Sequence, residues 1–147
     1  MSDRRLTFVG ECNPHHVDPR WALHPEPPYA SGGQLCKILE LDPNDYLAKF
    51  SRVNLCIGEW SAIAASRRAQ VLLNDNPRGL VLLGRKVERA FFGRHGGPGY
   101  FRVGQVLEAT VDALVLPHPS GLNRLWNEPG TVTQARRAFR RFERSLP

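Results

Sequence analysis

The sequence predicts a single-domain α/β protein over residues 1–147, with a central, mostly parallel four-stranded sheet between two layers of helices. Three observations lead to this fold class. The chain of 147 residues is close to the usual size of one domain. Short apolar runs rich in Val, Leu and Phe alternate with segments of helical periodicity. Such alternation is typical of a parallel sheet that binds ligands at the carboxyl ends of its strands.

The four predicted strands are apolar runs, each followed by Gly, Pro or a polar cluster. They cover residues 6–9, 53–57, 80–83 and 113–116. Runs this short and this apolar are typical of parallel strands that are covered on both faces. The stretch 100–111 is either an extended pair or an irregular connection, and the sequence pattern leaves both open.

The predicted helices lie between these strands. Apolar side chains share one stripe over residues 33–41 and again over residues 60–73. Between these two helices, Asp42 can cap a short helix over 44–50, because Pro43 suits the first helical position.

Arginine dominates the charge. The chain has 20 basic side chains, of which only three are Lys, against 14 acidic ones, and its net charge is +6. Because the guanidinium group pairs with phosphate oxygens, this bias favours a polyanionic partner. The last helix begins at Thr131, and its polar side is either a solvated face or a set of phosphate contacts, formed by Arg136, Arg137, Arg140, Arg141 and Arg144.

Other classes of protein are disfavoured. No apolar run approaches the roughly 20 residues that a membrane span needs, and the opening residues lack the pattern of a secretory signal. We therefore expect a cytoplasmic, nucleoid-associated protein with no membrane partner. The three cysteines form no Cys-x-x-Cys pair, which argues against a disulfide framework, a four-cysteine zinc site and an iron–sulfur cluster.

Two polar loops follow the first and the last predicted strands. The first reads Gly-Glu-Cys-Asn-Pro-His-His over residues 10–16, and the second reads Leu-Pro-His-Pro-Ser-Gly-Leu-Asn-Arg over residues 116–124. Since both lie at the carboxyl ends of strands, they are expected to face each other across one cleft. That is the layout of an active site.

The first loop also contains groups that bind metals. Zinc signatures space two ligands by one turn and return to a second pair later in the chain, a pattern that this loop lacks. A metal-dependent hydrolase is therefore a weaker alternative, built on Glu11, Cys12, His15, His16 and Asp18.

Three short stretches resemble the uracil-DNA glycosylase superfamily. Residues 12–16 are similar to the Gln-Asp-Pro-Tyr-His motif of its classical branch, and residues 13–14 to the Asn-Pro of its mismatch-specific branch. Residues 10–11 copy the Gly-Glu of its thermostable branch, so the first motif is a hybrid. Residues 118–122 resemble the second motif of the classical and mismatch-specific branches. Residues 52–56 resemble the middle strand that presents a base-reading Asn.

The resemblance implies a monofunctional DNA glycosylase. Such an enzyme flips uracil or a modified or mismatched pyrimidine out of DNA and hydrolyses its N-glycosidic bond, leaving an abasic site. His118 would donate an N–H to a base carbonyl oxygen as negative charge develops there. Either Asn13 or Glu11 would hold the attacking water, the carboxylate being the stronger base.

The same resemblance implies a set of DNA contacts. Asn54 would read the edge of the flipped base, although an Asn in an apolar strand also serves simply to cap an edge. Leu122 would be the apolar wedge that fills the vacated stack, and Arg124 would clamp a phosphate. Ser120 and His16 are further expected substrate contacts. The aromatic platform under the base is left open among three residues, Trp21, Tyr29 and Phe50.

No lysine lies in either loop, so we expect no Schiff base with the sugar and hence no second, strand-cleaving activity. The expected partner is single- or double-stranded DNA, bound by a monomer that needs no metal and no other cofactor. The alternative function is a catalytically inactive nucleic-acid binding or sensing module of the same fold. It predicts salt-dependent DNA binding with no abasic product.

Overall fold

A five-stranded sheet forms the centre of the protein. The computed structural model describes residues 4–15, 17–94, 96–106, 109–120 and 123–147. The strand order is β2-β1-β3-β5-β4. The strands are β1 (Leu6–Asn13), β2 (Ser51–Ile57), β3 (Gly79–Leu83), β4 (Val103–Val106) and β5 (Val111–Leu116).

Four of these strands are parallel and correspond to the four predicted ones. The expectation of only four strands was wrong, because part of the undecided stretch 100–111 forms β4. This strand pairs antiparallel with β5, with Val103 opposite Leu114 and Val106 opposite Val111. An antiparallel pair needs only a short connection, so no helix lies between β4 and β5. The alternation of strands and helices, from which the other strands are predicted, is therefore missing at β4.

In the described part of the chain, five α-helices connect and cover the strands. They are α1 (Ser31–Leu39), α2 (Pro43–Lys49), α3 (Ala62–Asn74), α4 (Arg85–Phe92) and α5 (Thr131–Ser145), with short 3-10 helices at Pro19–Trp21 and Arg124–Asn127. The predicted cap of α2 is confirmed, since the Asp42 carboxylate accepts the backbone N–H groups of Asn44 and Asp45. Within the described ranges, no helix is both long and apolar enough to cross a membrane.

The helices form one layer on each face of the sheet. One core cluster joins Phe8 of β1 to side chains of α1, α2 and α5, including Tyr46 and Phe139. A second cluster joins Val9 and Leu82 to side chains of α3 and α4. The α/β fold class with a mostly parallel central sheet is therefore confirmed.

Candidate active site

The candidate site lies at the carboxyl edge of the sheet, where β1 ends at Asn13 and β5 ends at Leu116. The chain leaves β1 for β2 on one side, and later returns to place β3 on the other side of β1. Open α/β sheets bind ligands at such a switch point, because the two connections diverge there and leave a crevice.

Asn13 and Asn54 form a pair of amides in this crevice. Nδ2 of Asn54 donates a hydrogen bond of 2.5 Å to Oδ1 of Asn13, whose side chain is only 4% exposed. Gly10 makes room for the pair, since a Cβ atom there would overlap Oδ1 of Asn54. The carbonyl oxygen of Asn13 thus accepts one hydrogen bond, and its Nδ2 carries two N–H groups that can donate to a ligand.

His118 follows β5 and is fixed by its neighbours in the second loop. Its Nδ1 accepts the backbone N–H of Ser120 at 3.1 Å. A neutral imidazole that accepts at Nδ1 carries its proton on Nε2. The His118 carbonyl in turn accepts from Nδ2 of Asn123 at 3.0 Å and from Nε1 of Trp126 at 2.8 Å. The loop therefore presents an Nε2–H donor in a defined orientation.

The side chain of Glu11, on β1, lies beside His118 and against Gly84, the residue just before α4. Its Oε2 is 3.2 Å from the position that a Cβ atom would occupy on Gly84, and Cβ of His118 is 3.5 Å from the same position. Gly84 has φ +102°, which a residue with a side chain rarely adopts. The glycine thus allows a carboxylate and an imidazole to share one corner of the site.

Burial and Glu11 have opposite effects on the pKa of His118. Burial, the larger effect, lowers this pKa by disfavouring the imidazolium, whereas the Glu11 carboxylate raises it. The net result is a pKa below the ordinary 6.5. A lowered pKa favours the neutral imidazole at pH 7, a form that can donate a hydrogen bond without carrying a charge.

The lowered pKa of His118 predicts a loss of stability in acid. The unfolded chain binds more protons than the folded one between the lowered pKa and 6.5, so stability falls as the pH drops below 6.5. Denaturant unfolding measured from about pH 7.5 to about pH 5 tests this. The free energy of unfolding should fall less over that interval in His118→Gln than in the parent protein. Identical pH dependence of the two proteins would show that His118 titrates normally.

A cavity of about 410 Å³ opens beside these side chains. Asn13, Asn54 and His118 line it from the sheet, and Trp21 and His24 line it from the segment that follows β1. The volume lies in the range of about 300–1,000 Å³ that is usual for small-molecule sites. The cavity therefore has room for one pyrimidine base, with amide and imidazole groups on one wall and aromatic rings on the other.

The aromatic wall is held in place by two hydrogen bonds from the core. The phenol of Tyr46 donates to the Leu23 carbonyl at 2.9 Å, and Nη1 of Arg52 donates to the Ala22 carbonyl at 3.0 Å. Trp21 and His24 flank the two accepting residues along the chain, and their ring centroids are 4.6 Å apart. The wall is thus a preformed part of the fold.

The three candidates for the aromatic platform differ in their exposure and in whether they line the cavity. Phe50 is 6% exposed and packs against Phe8 in the core, so its inclusion among the candidates was wrong. Tyr29 is 79% exposed and does not line the cavity. Trp21 does line it, together with His24, which the sequence analysis did not single out.

The other predicted contacts are only partly brought together. Ser120 is adjacent to His118 through the backbone hydrogen bond, and Arg124 is exposed at the start of the second 3-10 helix. His16 and Leu122 lie outside the described residues. Sequence reasoning did not predict the hydrogen bond from Trp126 to the His118 carbonyl, since the tryptophan is eight residues away along the chain.

The metal alternative gains no support from the first loop. Asp18 pairs with Arg20 at 2.9 Å, and the ring of His15 lies against Gly58. The hydrogen bond from Arg20 lowers the pKa of the Asp18 carboxyl group. No group of three or more metal-binding side chains occurs in the part of the chain that the structure describes.

Comparison with known proteins gives one family for almost the whole chain. The profile of the family described as "Uracil DNA glycosylase superfamily" matches residues 4–144. The match extends from just before β1 to the last turn of α5 and includes both loops of the site. No curated protein sequence matches the chain.

Proposed function

The chain belongs to the uracil-DNA glycosylase superfamily, and on that premise we propose that it is a monofunctional DNA glycosylase acting on uracil or a modified or mismatched pyrimidine. Members of this superfamily generally hydrolyse N-glycosyl bonds. The observation that carries the proposal is the cavity of about 410 Å³ between the Asn13–Asn54 pair and the neutral His118. Its donors and acceptors match the polar edge of a flipped base.

In the proposed reaction the bond between C1′ of the sugar and the base nitrogen breaks, and its electron pair leaves with the base. The Nε2–H of His118 donates to a carbonyl oxygen of the base, where the negative charge accumulates. Because the imidazole is already neutral and oriented, this donor needs no rearrangement in the transition state. The water oxygen bonds to C1′, and the water gives up one proton to complete the abasic product.

We assign that proton to Glu11 and the reading of the base to the two amides. A carboxylate can only accept hydrogen bonds, which suits it to orient a water and take its proton. Asn13 has one acceptor position occupied by Asn54, so its N–H groups are better placed to donate to the base than its carbonyl is to activate water. Of the two alternatives for the water that the sequence leaves open, we therefore propose Glu11.

The remaining assignments follow the family resemblance. Arg124 is exposed at the end of the second loop, where it would contact a phosphate. Ser120, whose backbone N–H donates to His118, would contact the substrate from the same loop. Leu122 is proposed as the wedge and His16 as a further substrate contact. Nζ of Lys86 lies 5.9 Å from the centroid of the Trp60 ring, a cation–π contact. We therefore propose that Lys86 packs on this ring and does not attack the sugar. We propose a monomer in the cytoplasm that works without a cofactor.

A substrate panel tests the function. We expect abasic sites, detected by alkaline cleavage, in one or more oligonucleotides that carry uracil, mismatched thymine or a 5-substituted pyrimidine, each offered single- and double-stranded. Unmodified DNA of the same sequence is the control and should stay intact. Salt-dependent binding with no cleavage of any member would instead support the inactive binding module.

A further inference from the structure

A groove between α5 and the edge strand β4 lies apart from the candidate site. Its volume is about 700 Å³, and we name it the arginine groove after Arg102, Arg137 and Arg141, which line it around Phe101. All three arginines are exposed. Within the described ranges, no Asp or Glu side chain lines this groove. It is therefore a concave surface of one sign of charge.

Four of the five arginines of α5 divide into two sets, and the fifth, Arg144, does not line the groove. Arg136 donates to the Ile38 carbonyl and pairs with Glu40, which also pairs with Arg140. These two arginines tie α5 to the end of α1. The side chains of Arg137 and Arg141 make no hydrogen bond or ion pair with any described residue, and the same holds for the side chain of Arg102. The groove thus contains three arginines whose side chains are free of hydrogen bonds and ion pairs with the described part of the fold.

The positions of these arginines match a linear polyanion. Arg137 and Arg141 are one helical turn apart, which separates them by about 6 Å along α5. Arg102 faces them from the other wall, which is fixed by two backbone hydrogen bonds with Val115. Phe101 N–H donates to the Val115 carbonyl at 2.7 Å, and Val115 N–H donates to the Arg102 carbonyl at 3.1 Å.

Phe101 adds an aromatic surface to the groove. It has φ +65°, a conformation that costs a residue with a side chain free energy and persists only where neighbours enforce it. The two hydrogen bonds to Val115 provide this constraint on the backbone, and the partly exposed ring packs against the core while lining the groove. Positive charge together with an aromatic side chain is the combination with which proteins bind single-stranded nucleic acid.

We propose that the arginine groove binds the phosphodiester backbone of single-stranded DNA. The groove is linked to the candidate site by β5, since Leu114 lines the groove four residues before His118. Four residues of strand span about 13 Å, so one DNA strand of a few nucleotides can reach from one to the other. The proposal rests on the proposed function for its choice of DNA as the anion, but does not depend on base removal.

The test is fluorescence anisotropy with a labelled single-stranded oligonucleotide of about 15 unmodified nucleotides. The groove variant combines Arg102→Gln, Arg137→Gln and Arg141→Gln, all at exposed positions. We expect its affinity to fall by about tenfold or more, and the slope of log K against log salt to become shallower by about 2, because three phosphate contacts are lost.

A matched control removes the same charge from the opposite face of the sheet. It combines Arg67→Gln and Arg68→Gln on α3 with Arg89→Gln on α4, three arginines that are also exposed. The control is expected to keep its affinity within about twofold. An equal loss in both triple variants would mean that only net charge matters, and wild-type affinity in the groove variant would mean that DNA does not enter. Either result overturns the proposal.

The failure of this proposal can be distinguished from failure of the proposed function. Binding of unmodified DNA is measured in the protein with native His118 and again in His118→Ala, so it does not require excision. If the groove variant alone loses affinity while no substrate of the panel is cleaved, the groove is supported and the glycosylase is not. If substrates are cleaved and both triple variants bind alike, the opposite holds.

Discussion

Replacing His118 by Ala is expected to lower single-turnover excision by about two orders of magnitude or more, with little change in DNA affinity. The Nε2–H of His118 acts on charge that exists only as the base departs, so it contributes to the chemical step more than to binding. Single-turnover excision of the best substrate in the panel measures that step without product release.

His15→Ala is the matched control for this substitution. His15 belongs to the first loop, is exposed and packs its ring against Gly58, but it does not line the cavity. We expect it to keep excision within a few fold of the parent protein. Full activity in His118→Ala, with normal unfolding behaviour, would contradict the assignment of His118 as the electrophile.

Much of the fold follows from local patterns in the sequence. The four parallel strands are buried on both faces, so each appears as an apolar run with an abrupt polar end. Those ends also locate the site, since parallel strands place their carboxyl ends at one edge of the sheet. For that reason Asn13 and His118, about a hundred residues apart in the sequence, could be predicted to line one cleft.

Other parts depend on contacts that no local pattern encodes. Helix α4 was not predicted, because Val87 and Phe91 are the only apolar side chains that it buries fully. Two apolar residues form too short a stripe to distinguish a helix from a loop. Phe50 is in the core because α2 and β2 bring it against Phe8. His24 lines the cavity because Tyr46 fixes the neighbouring Leu23 carbonyl from 23 residues away.

For the arginines, too, the sequence predicts a general property, and the roles of individual residues depend on the fold. Composition alone indicates a polyanionic partner but gives every arginine the same weight. In the folded chain, Arg52 holds the Ala22 carbonyl and Arg136 holds the Ile38 carbonyl, so both act as structural donors. Only arginines without such partners, Arg137 among them, are available to phosphates. Part of the basic charge therefore stabilises the fold, and only the rest is left for the proposed contacts with DNA.

The assignment of the water to Glu11 predicts that Glu11→Gln slows single-turnover excision by about two orders of magnitude, with unchanged DNA binding. The amide keeps the size of the side chain but cannot take a proton from water. Loss of the Glu11 carboxylate also removes the charge that raises the pKa of His118, so this pKa should fall further. An NMR titration of His118 checks that shift independently of activity.

Glu59→Gln and Asn13→Ala make the Glu11 experiment decisive. Glu59 lies in the loop after β2 and is exposed, so its substitution removes one charge from the same end of the sheet. Unlike Glu11, it does not act on the pKa of His118, and its loss should leave excision unchanged. Asn13→Ala is expected to slow excision by about two orders of magnitude and to weaken binding of target-containing DNA, because it removes a base contact and leaves Asn54 without its partner. If Glu11→Gln were fully active while Asn13→Ala failed with unchanged affinity, the amide would hold the water and Glu11 would act only on the pKa of His118.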